Sequence, residues 1–333
     1  MSKIAIHGFG RIGRSTLKAA LRYNLFVPTV ISDIKDLPTL AALFAYDSSY
    51  GPFNDEVKTT ANELVVGDNR ITFVDTTHSL PNWGKLGVEV VIDCTGRATT
   101  RAGAEAHLAL GAKRVLVSAA SKTLQDCDVV LLPGINMEVY DPKEHRIISM
   151  ASCTTNALAP VVKVLKENFG IKTGFFSTIH AYTNTQSLTD QPMKDRRDSW
   201  AAAENIIPAS SGAAKALKFI WPDLTITGKA YRVPVRTGSI AELNVILERP
   251  TTTEEVRNVF RAASVKSPLK GVLGVLEEEY ASSRILGDSR SSVVDLPLVQ
   301  VIDETFLSIA AWYDNEMGYS IRLAETAAHL LGR

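Results

Sequence analysis

The chain has 333 residues, and its 36 basic and 36 acidic side chains leave it formally neutral. That balance excludes a dedicated nucleic-acid or membrane surface as the main partner. At 45% hydrophobic, the chain is long and apolar enough to bury the core of one large or two medium domains.

The opening residues 1–7 form too short an apolar run for a signal peptide. No later run approaches the about 18 residues of a membrane span. Residues 3–7 predict a strand that runs into Gly8-Phe9-Gly10-Arg11-Ile12-Gly13. A helix follows, with Ile12, Leu17, Ala20 and Leu21 on one apolar stripe. Strand, glycine turn and helix is the order a dinucleotide site requires. The first glycine permits the tight turn, the second lets backbone approach a pyrophosphate, and the third lets helix pack on strand. A second strand over 28–32 ends at Asp33, about 20 residues past the last glycine, where a carboxylate can accept from ribose hydroxyls. The competing reading is a packing turn followed by a solvated acid; the framing of all these residues favours the nucleotide.

Strands and helices then alternate. The pattern gives a helix over 37–45 and a buried-type strand over 88–92 that ends in Asp93-Cys94-Thr95-Gly96. A helix over 102–110 and strands over 115–118, 129–132 and 147–149 follow. Alternation of this kind predicts a doubly wound parallel sheet, with ligands bound outside the carboxyl ends of its strands. Three cysteines, Cys94, Cys127 and Cys153, have no zinc-type spacing. No disulfide framework and no metal site is expected, and a reducing cytoplasm fits. Cys94 and Cys127 flank apolar runs and read as small buried hydrophobes.

Ser152-Cys153-Thr154-Thr155-Asn156 stands at a strand–turn–helix junction. Cys153 falls at the helix start, where unpaired N–H groups favour a thiolate. The helix runs over 154–168 and is closed by Gly170. A strand over 173–179 delivers His180, and a long polar stretch over 182–204 follows, of a length that is usually functional. Strands over 229–235, 240–247, 293–296 and 306–312, with a helix over 253–263, predict an α+β half with a mostly antiparallel sheet. The chain closes on an amphipathic helix bearing Ile321, Leu323, Ala327, Leu330 and Leu331.

Ala151-Ser152-Cys153-Thr154-Thr155-Asn156 resembles the active-site signature of phosphorylating glyceraldehyde-3-phosphate dehydrogenases. Six further motifs resemble that family in order, starting at Gly8, Ile179, Asn205, Gly212, Tyr231 and Trp312. The resemblance implies a Rossmann-type nucleotide-binding domain over 1–152, joined by the C-terminal helix 316–333, and a catalytic domain over 153–315. It implies that Cys153 attacks an aldehyde with His180 as its partner, giving a thiohemiacetal, then a thioester that inorganic phosphate cleaves. Arg232 and Arg197 match the family's anion-binding arginines, and Ser152, Thr154, Thr183, Ser211 and Gly212 match its other phosphate ligands. Gly8, Gly10, Arg11, Ile12, Gly13, Asp33, Thr95, Gly96, Ser118, Asn315 and Tyr319 match its cofactor contacts. A homotetramer is also implied, with the 182–204 stretch near a neighbour's cofactor.

NAD is expected over NADP, because Asp33 would face a 2′-phosphate with like charge. Pro192 supports this by resemblance. Departures from the family pattern cluster on the adenosine side: His7 for a usual Asn, Thr76 for Arg, Ala98 for an aromatic and Ala120 for Pro. Ala157 stands where a second cysteine is common. The alternatives are erythrose-4-phosphate dehydrogenase, or a paralogue acting mainly as a binding module. The flanking motifs Ser211-Gly212-Ala213-Ala214-Lys215 and His180-Ala181-Tyr182-Thr183-Asn184 favour the three-carbon substrate.

Overall fold

The structure, a computed structural model, describes residues 3–332. Residues 1, 2 and 333, which close the expected outer domain limits, lie outside the described residues. Internal contacts divide the chain into two units, Met1–Ala151 with Ser320–Arg333, and Ser152–Tyr319.

The first unit begins with β1 (Ile4–His7), α1 (Arg11–Arg22), β2 (Val30–Asp33) and α2 (Leu37–Ala45). The segment 46–87 carries no clear period in sequence. It holds a small pair, β3 (Tyr46–Asp47) and β4 (Gly51–Pro52), then β5 (Val57–Thr59), β6 (Glu63–Val66) and β7 (Asn69–Asp75). Next come β8 (Val90–Asp93), α3 (Arg101–Ala109), β9 (Arg114–Val117), β10 (Val129–Val130) and β11 (Ile147–Ser149). Nine of these strands form one sheet in the order β10-β11-β9-β8-β1-β2-β7-β6-β5. Every pair from β10 to β7 is parallel, and β6 and β5 extend the sheet antiparallel. This is the Rossmann-type arrangement. Ile4, Ala5 and Ile6 are all fully buried, as expected of a parallel strand covered on both faces. Ala5, Val30, Trp83, Val88, Val91 and Ala112 form one cluster of this core. The strand order reverses between β1 and β8.

The second unit begins with α4 (Cys153–Asn168) and β12 (Ile171–Ala181), followed by β13 (Ile207–Ser210), α5 (Ala213–Ile220), β14 (Ile226–Val233) and β15 (Ser239–Leu247). After α6 (Thr253–Ser264) come β16 (Leu273–Leu276), β17 (Ser292–Asp295), β18 (Gln300–Ile302) and β19 (Phe306–Tyr313). Helix α7 (Met317–His329) closes the chain. The sheet order is β13-β14-β12-β15-β19-β17-β16, with β18 paired to β19. Most pairs are antiparallel, but β12–β14 and β16–β17 are parallel. The parallel β12–β14 pair requires a crossover, and α5, a short helix not expected from sequence, lies on it. Gly170 follows α4 at a φ of 70°, a left-handed conformation that suits glycine just beyond a helix end.

Candidate active site

Three glycines shape the end of β1, each for a different reason. Gly8 has a φ of 85°, and a Cβ there would lie 2.8 Å from Thr95 Cγ2. At Gly13 a Cβ would fall 2.1 Å from the Gly8 carbonyl oxygen, so helix and turn meet only because it is glycine. A Cβ on Gly10 would meet nothing within 4 Å, which leaves open space beside the backbone at the start of α1. Gly10 caps α1 without a side-chain bond, and the start of a helix is a place that favours an anion. Arg11 and Ile12 are half-buried on the first turn, and Arg11 pairs with Asp47 at 3.3 Å.

Asp33 closes β2 half-buried. Its carboxylate accepts from the Phe9 N–H at 2.6 Å and the Lys35 N–H at 3.0 Å, which ties it to the glycine turn. Thr95 and Gly96 follow β8, and Thr95 donates through N–H and hydroxyl to Asp93 Oδ1 at 3.0 and 2.7 Å. The Ser118 N–H, after β9, donates to the Asp93 carbonyl at 3.0 Å. These residues therefore all sit at the carboxyl ends of β1, β2, β8 and β9. Burial pushes the Cys94 thiol up to about 12, and burial also raises the Cys127 thiol; both behave as structural cysteines.

In the second unit, α4 starts on Cys153. Ser152 is the N-cap, and its hydroxyl accepts from the Thr155 N–H at 3.1 Å. Ala151, just before it, takes a φ of 53°, a strained conformation for a residue with a Cβ. The end of β12 supplies His180, whose Nε2 lies 3.4 Å from Cys153 Sγ. Arg232 arrives by strand register, because it is the partner of His180 across the parallel β12–β14 pair. Its Nη1 lies 2.5 Å from His180 Nδ1 and donates to the Ala181 carbonyl at 3.3 Å.

His180 Nδ1 also lies 2.6 Å from that same carbonyl. One nitrogen cannot donate and accept together, so each tautomer has its partner. With Nδ1 donating to Ala181, the Nε2 lone pair faces the thiol as a base. With Nδ1 accepting from Arg232, the Nε2 proton points at the sulfur. Burial pushes His180 down to about 3, and the Arg232 charge adds to that. Burial raises the Cys153 thiol, while Arg232 and the bonds from the helix start pull against the rise. Burial thus favours the uncharged form of each partner, while Arg232 and the helix start favour the thiolate.

Two groups under the pair escape the sequence reading. The Tyr313 hydroxyl lies 3.0 Å from Thr154 Oγ1 and 2.7 Å from Thr178 Oγ1, and its ring meets His180 edge-on at 5.9 Å. Burial holds the Tyr313 hydroxyl protonated well above its usual range. The only sequence signal for it was its place inside the motif that starts at Trp312. Thr183, Ser211 and Arg197 form hydrogen bonds within their own loops, with Gln186 and Thr185, with Ala213, and with Asp195. Gly212 caps α5 with open space around it. The Asn315 carbonyl oxygen accepts from the Gly238 N–H at 3.1 Å and the Ser239 hydroxyl at 3.0 Å, which fixes its amide and leaves the NH2 as donor. Tyr319 is buried.

Residues 152–315 match the family model described as the glyceraldehyde 3-phosphate dehydrogenase C-terminal domain, and residues 2–101 match that family's NAD binding domain. The chain belongs to the glyceraldehyde-3-phosphate dehydrogenase family. It is 45% identical over 338 residues to a glyceraldehyde-3-phosphate dehydrogenase of Kitasatospora aureofaciens, covering all of both chains. It is 43% identical to that of Geobacillus stearothermophilus, covering 99% of this chain and 98% of the relative. Identity to the Streptomyces coelicolor enzyme is 44%, covering 97% and 96%. In this dehydrogenase-family chain Ala98 is 4% exposed, and the Thr76 hydroxyl oxygen is buried without a protein partner among the described residues.

Proposed function

We infer that the protein is an NAD-dependent phosphorylating dehydrogenase that converts glyceraldehyde 3-phosphate and inorganic phosphate to 1,3-bisphosphoglycerate. The observation that carries the reading is the contact of Cys153 Sγ with His180 Nε2 at a helix start, with Arg232 brought alongside by register. NAD fits the first unit because the Gly10 backbone opens on space that a Cβ would enter, while the Asp33 carboxylate is fixed at the end of β2. Gly8, Gly10, Arg11, Ile12, Gly13, Asp33, Thr95, Gly96 and Ser118 would hold NAD, and Asn315 and Tyr319 would contact its nicotinamide end. NAD supplies the hydride acceptor when bound.

The protein's own residues do the rest. Cys153 attacks the aldehyde carbon, and its proton leaves through His180 Nε2 to the carbonyl oxygen. The thiohemiacetal hydroxyl gives its proton back to His180 as the carbon is oxidised to the thioester. Phosphate then attacks the thioester carbon, the C–S bond breaks, and Cys153 leaves as the thiol. Arg232 serves the substrate phosphate, since a guanidinium fork pairs with two phosphate oxygens. Arg197, Thr183, Ser152, Thr154, Ser211 and Gly212 complete two anion subsites. Residues 1–152 with 316–333 act as the nucleotide domain and 153–315 as the catalytic domain.

The reading also carries a cytoplasmic homotetramer. Three free cysteines fit a reducing compartment, and Leu188 and Trp200 are 79% and 56% exposed on the stretch assigned to a neighbouring subunit. Light scattering that gives an active monomer would remove the assembly from the account. The activity is tested by turnover with glyceraldehyde 3-phosphate, NAD and phosphate. Faster turnover of erythrose 4-phosphate, or turnover independent of phosphate, would replace it.

A further inference from the structure

His7 ends β1 and Asp93 ends β8, and the two are register partners across the reversal in strand order. Open parallel sheets bind their ligands just beyond such a reversal. The interior under this point is polar. Asp93 and His107 are each 2% exposed and Trp83 is fully buried. The Trp83 Nε1–H donates to His107 Nδ1 at 3.1 Å. An indole N–H can only donate, so Nδ1 is the acceptor and the imidazole proton sits on Nε2. His107 Nε2–H then donates to Asp93 Oδ2 at 3.1 Å.

The other oxygen, Asp93 Oδ1, receives both the N–H and the hydroxyl of Thr95. Thr95 Oγ1 in turn accepts from the Arg97 N–H at 3.1 Å. Two series of bonds thus converge on Asp93, one from a core indole through His107 and one from the turn after β8. That turn abuts the Gly8 turn, where a Cβ would touch Thr95 Cγ2. Burial alone would raise the Asp93 carboxyl, yet the bonds from His107 and Thr95 hold it below its usual range. A carboxylate kept charged in the core demands all of its donors.

We propose that Trp83, His107 and Asp93 act as a positioning relay that fixes the Thr95–Gly96 turn for NAD, with His107 the positioning residue at its centre. This rests on the assignment of that turn to NAD. A metal site is the rival reading, since His7, Asp93 and His107 each bring one ligand atom within 4.8 Å of the others. A metal on His107 Nε2 would need a protonated Nδ1 with an acceptor behind it. Trp83 offers a donor there instead, so the hydrogen-bond polarity excludes it.

The test is calorimetric titration of NAD into the full-length protein, with steady-state kinetics alongside. His107→Phe keeps the ring and removes the donor; His107→Gln restores a donor for Asp93. The relay predicts roughly tenfold weaker NAD binding and higher NAD KM in His107→Phe, with kcat and the aldehyde KM within about twofold. His107→Gln should recover most of the loss. If His107→Phe does not fold, Thr95→Val cuts the series from the turn and should weaken NAD by a similar factor. Unchanged NAD affinity in a folded His107→Phe or in Thr95→Val would overturn the proposal. So would His107→Gln binding as poorly as His107→Phe. Cobalt(II) added to wild type and giving d–d absorption that His107→Phe abolishes would favour the metal instead. A wild type that binds no NAD would defeat the dehydrogenase reading itself, a different outcome from any of these.

Discussion

At the scale of single residues, cofactor choice turns on Asp33. Its two oxygens accept from Phe9 and Lys35 N–H groups and so cannot swing away without losing both bonds. A 2′-phosphate would meet this fixed charge at a cost of about 1–3 kcal/mol, or roughly ten- to a hundredfold in affinity. The expected kcat/KM ratio therefore favours NAD over NADP in the wild type and shrinks in Asp33→Ala. A wild-type preference for NADP, or an unmoved ratio in the variant, would show that another residue selects the cofactor. Cys153, His180 and Arg232 were legible in sequence, because each sits inside a short motif. Tyr313 and Thr178 were not, because their role arises only when β12 and β19 bring distant hydroxyls under Thr154. The balance at the Cys153–His180 pair was equally hidden, since burial raises the thiol and lowers the imidazole while the Arg232 charge lowers both.

At the scale of elements, the strand–glycine–helix unit separates fold from function. Gly13 and Gly10 are three residues apart yet face opposite demands. Gly13→Ala forces a Cβ onto the Gly8 carbonyl, so it should cost about 1–3 kcal/mol of stability by thermal melting. Gly10→Ala meets open space and has a φ of −69°, so its melting temperature should stay close to wild type while NAD affinity falls. If both variants lost stability equally, the open space at Gly10 would not be the pyrophosphate cradle. This unit, α4 and β12 could be read from sequence because apolar period and punctuation agree there. The strands of 46–87 could not, being short, polar-rich and half-exposed. The parallel β12–β14 pair was also invisible, because nothing local in either strand states the direction of its neighbour. That pairing is what sets His180 beside Arg232.

At the scale of the whole molecule, buried titratable groups set the acid limit. The pKa values of His7 and His180 are lowered in the folded chain, chiefly by burial. In the unfolded chain both would titrate near 6.5, so below that pH the unfolded state binds more protons and stability falls. For His180 this loss continues down to about pH 3. Asp47, Asp93 and Asp128 are held below the usual carboxylate range, so their contribution is present above about pH 4 and lost below it. Melting temperature should hold steady from pH 8 to 7, decline from about pH 6.5, and drop more steeply below about pH 4. A flat profile between pH 7 and 5 would mean that the two histidines are solvated in the folded protein.

The division into two units joins these scales to the reaction. The nucleotide-binding turns belong to one unit, and the Cys153–His180–Arg232 group belongs to the other. The account therefore stands on a covalent intermediate at Cys153, and one measurement addresses it directly. Enzyme, NAD and glyceraldehyde 3-phosphate are mixed without phosphate, and the protein is analysed by intact mass and peptide mapping. The account predicts an acyl adduct on Cys153 alone, released when phosphate is added. It also predicts no adduct and at least a roughly thousandfold loss of turnover in Cys153→Ser, with Cys94→Ser and Cys127→Ser forming the adduct normally. Substantial turnover in Cys153→Ser, or an adduct on another residue that phosphate discharges, would contradict it.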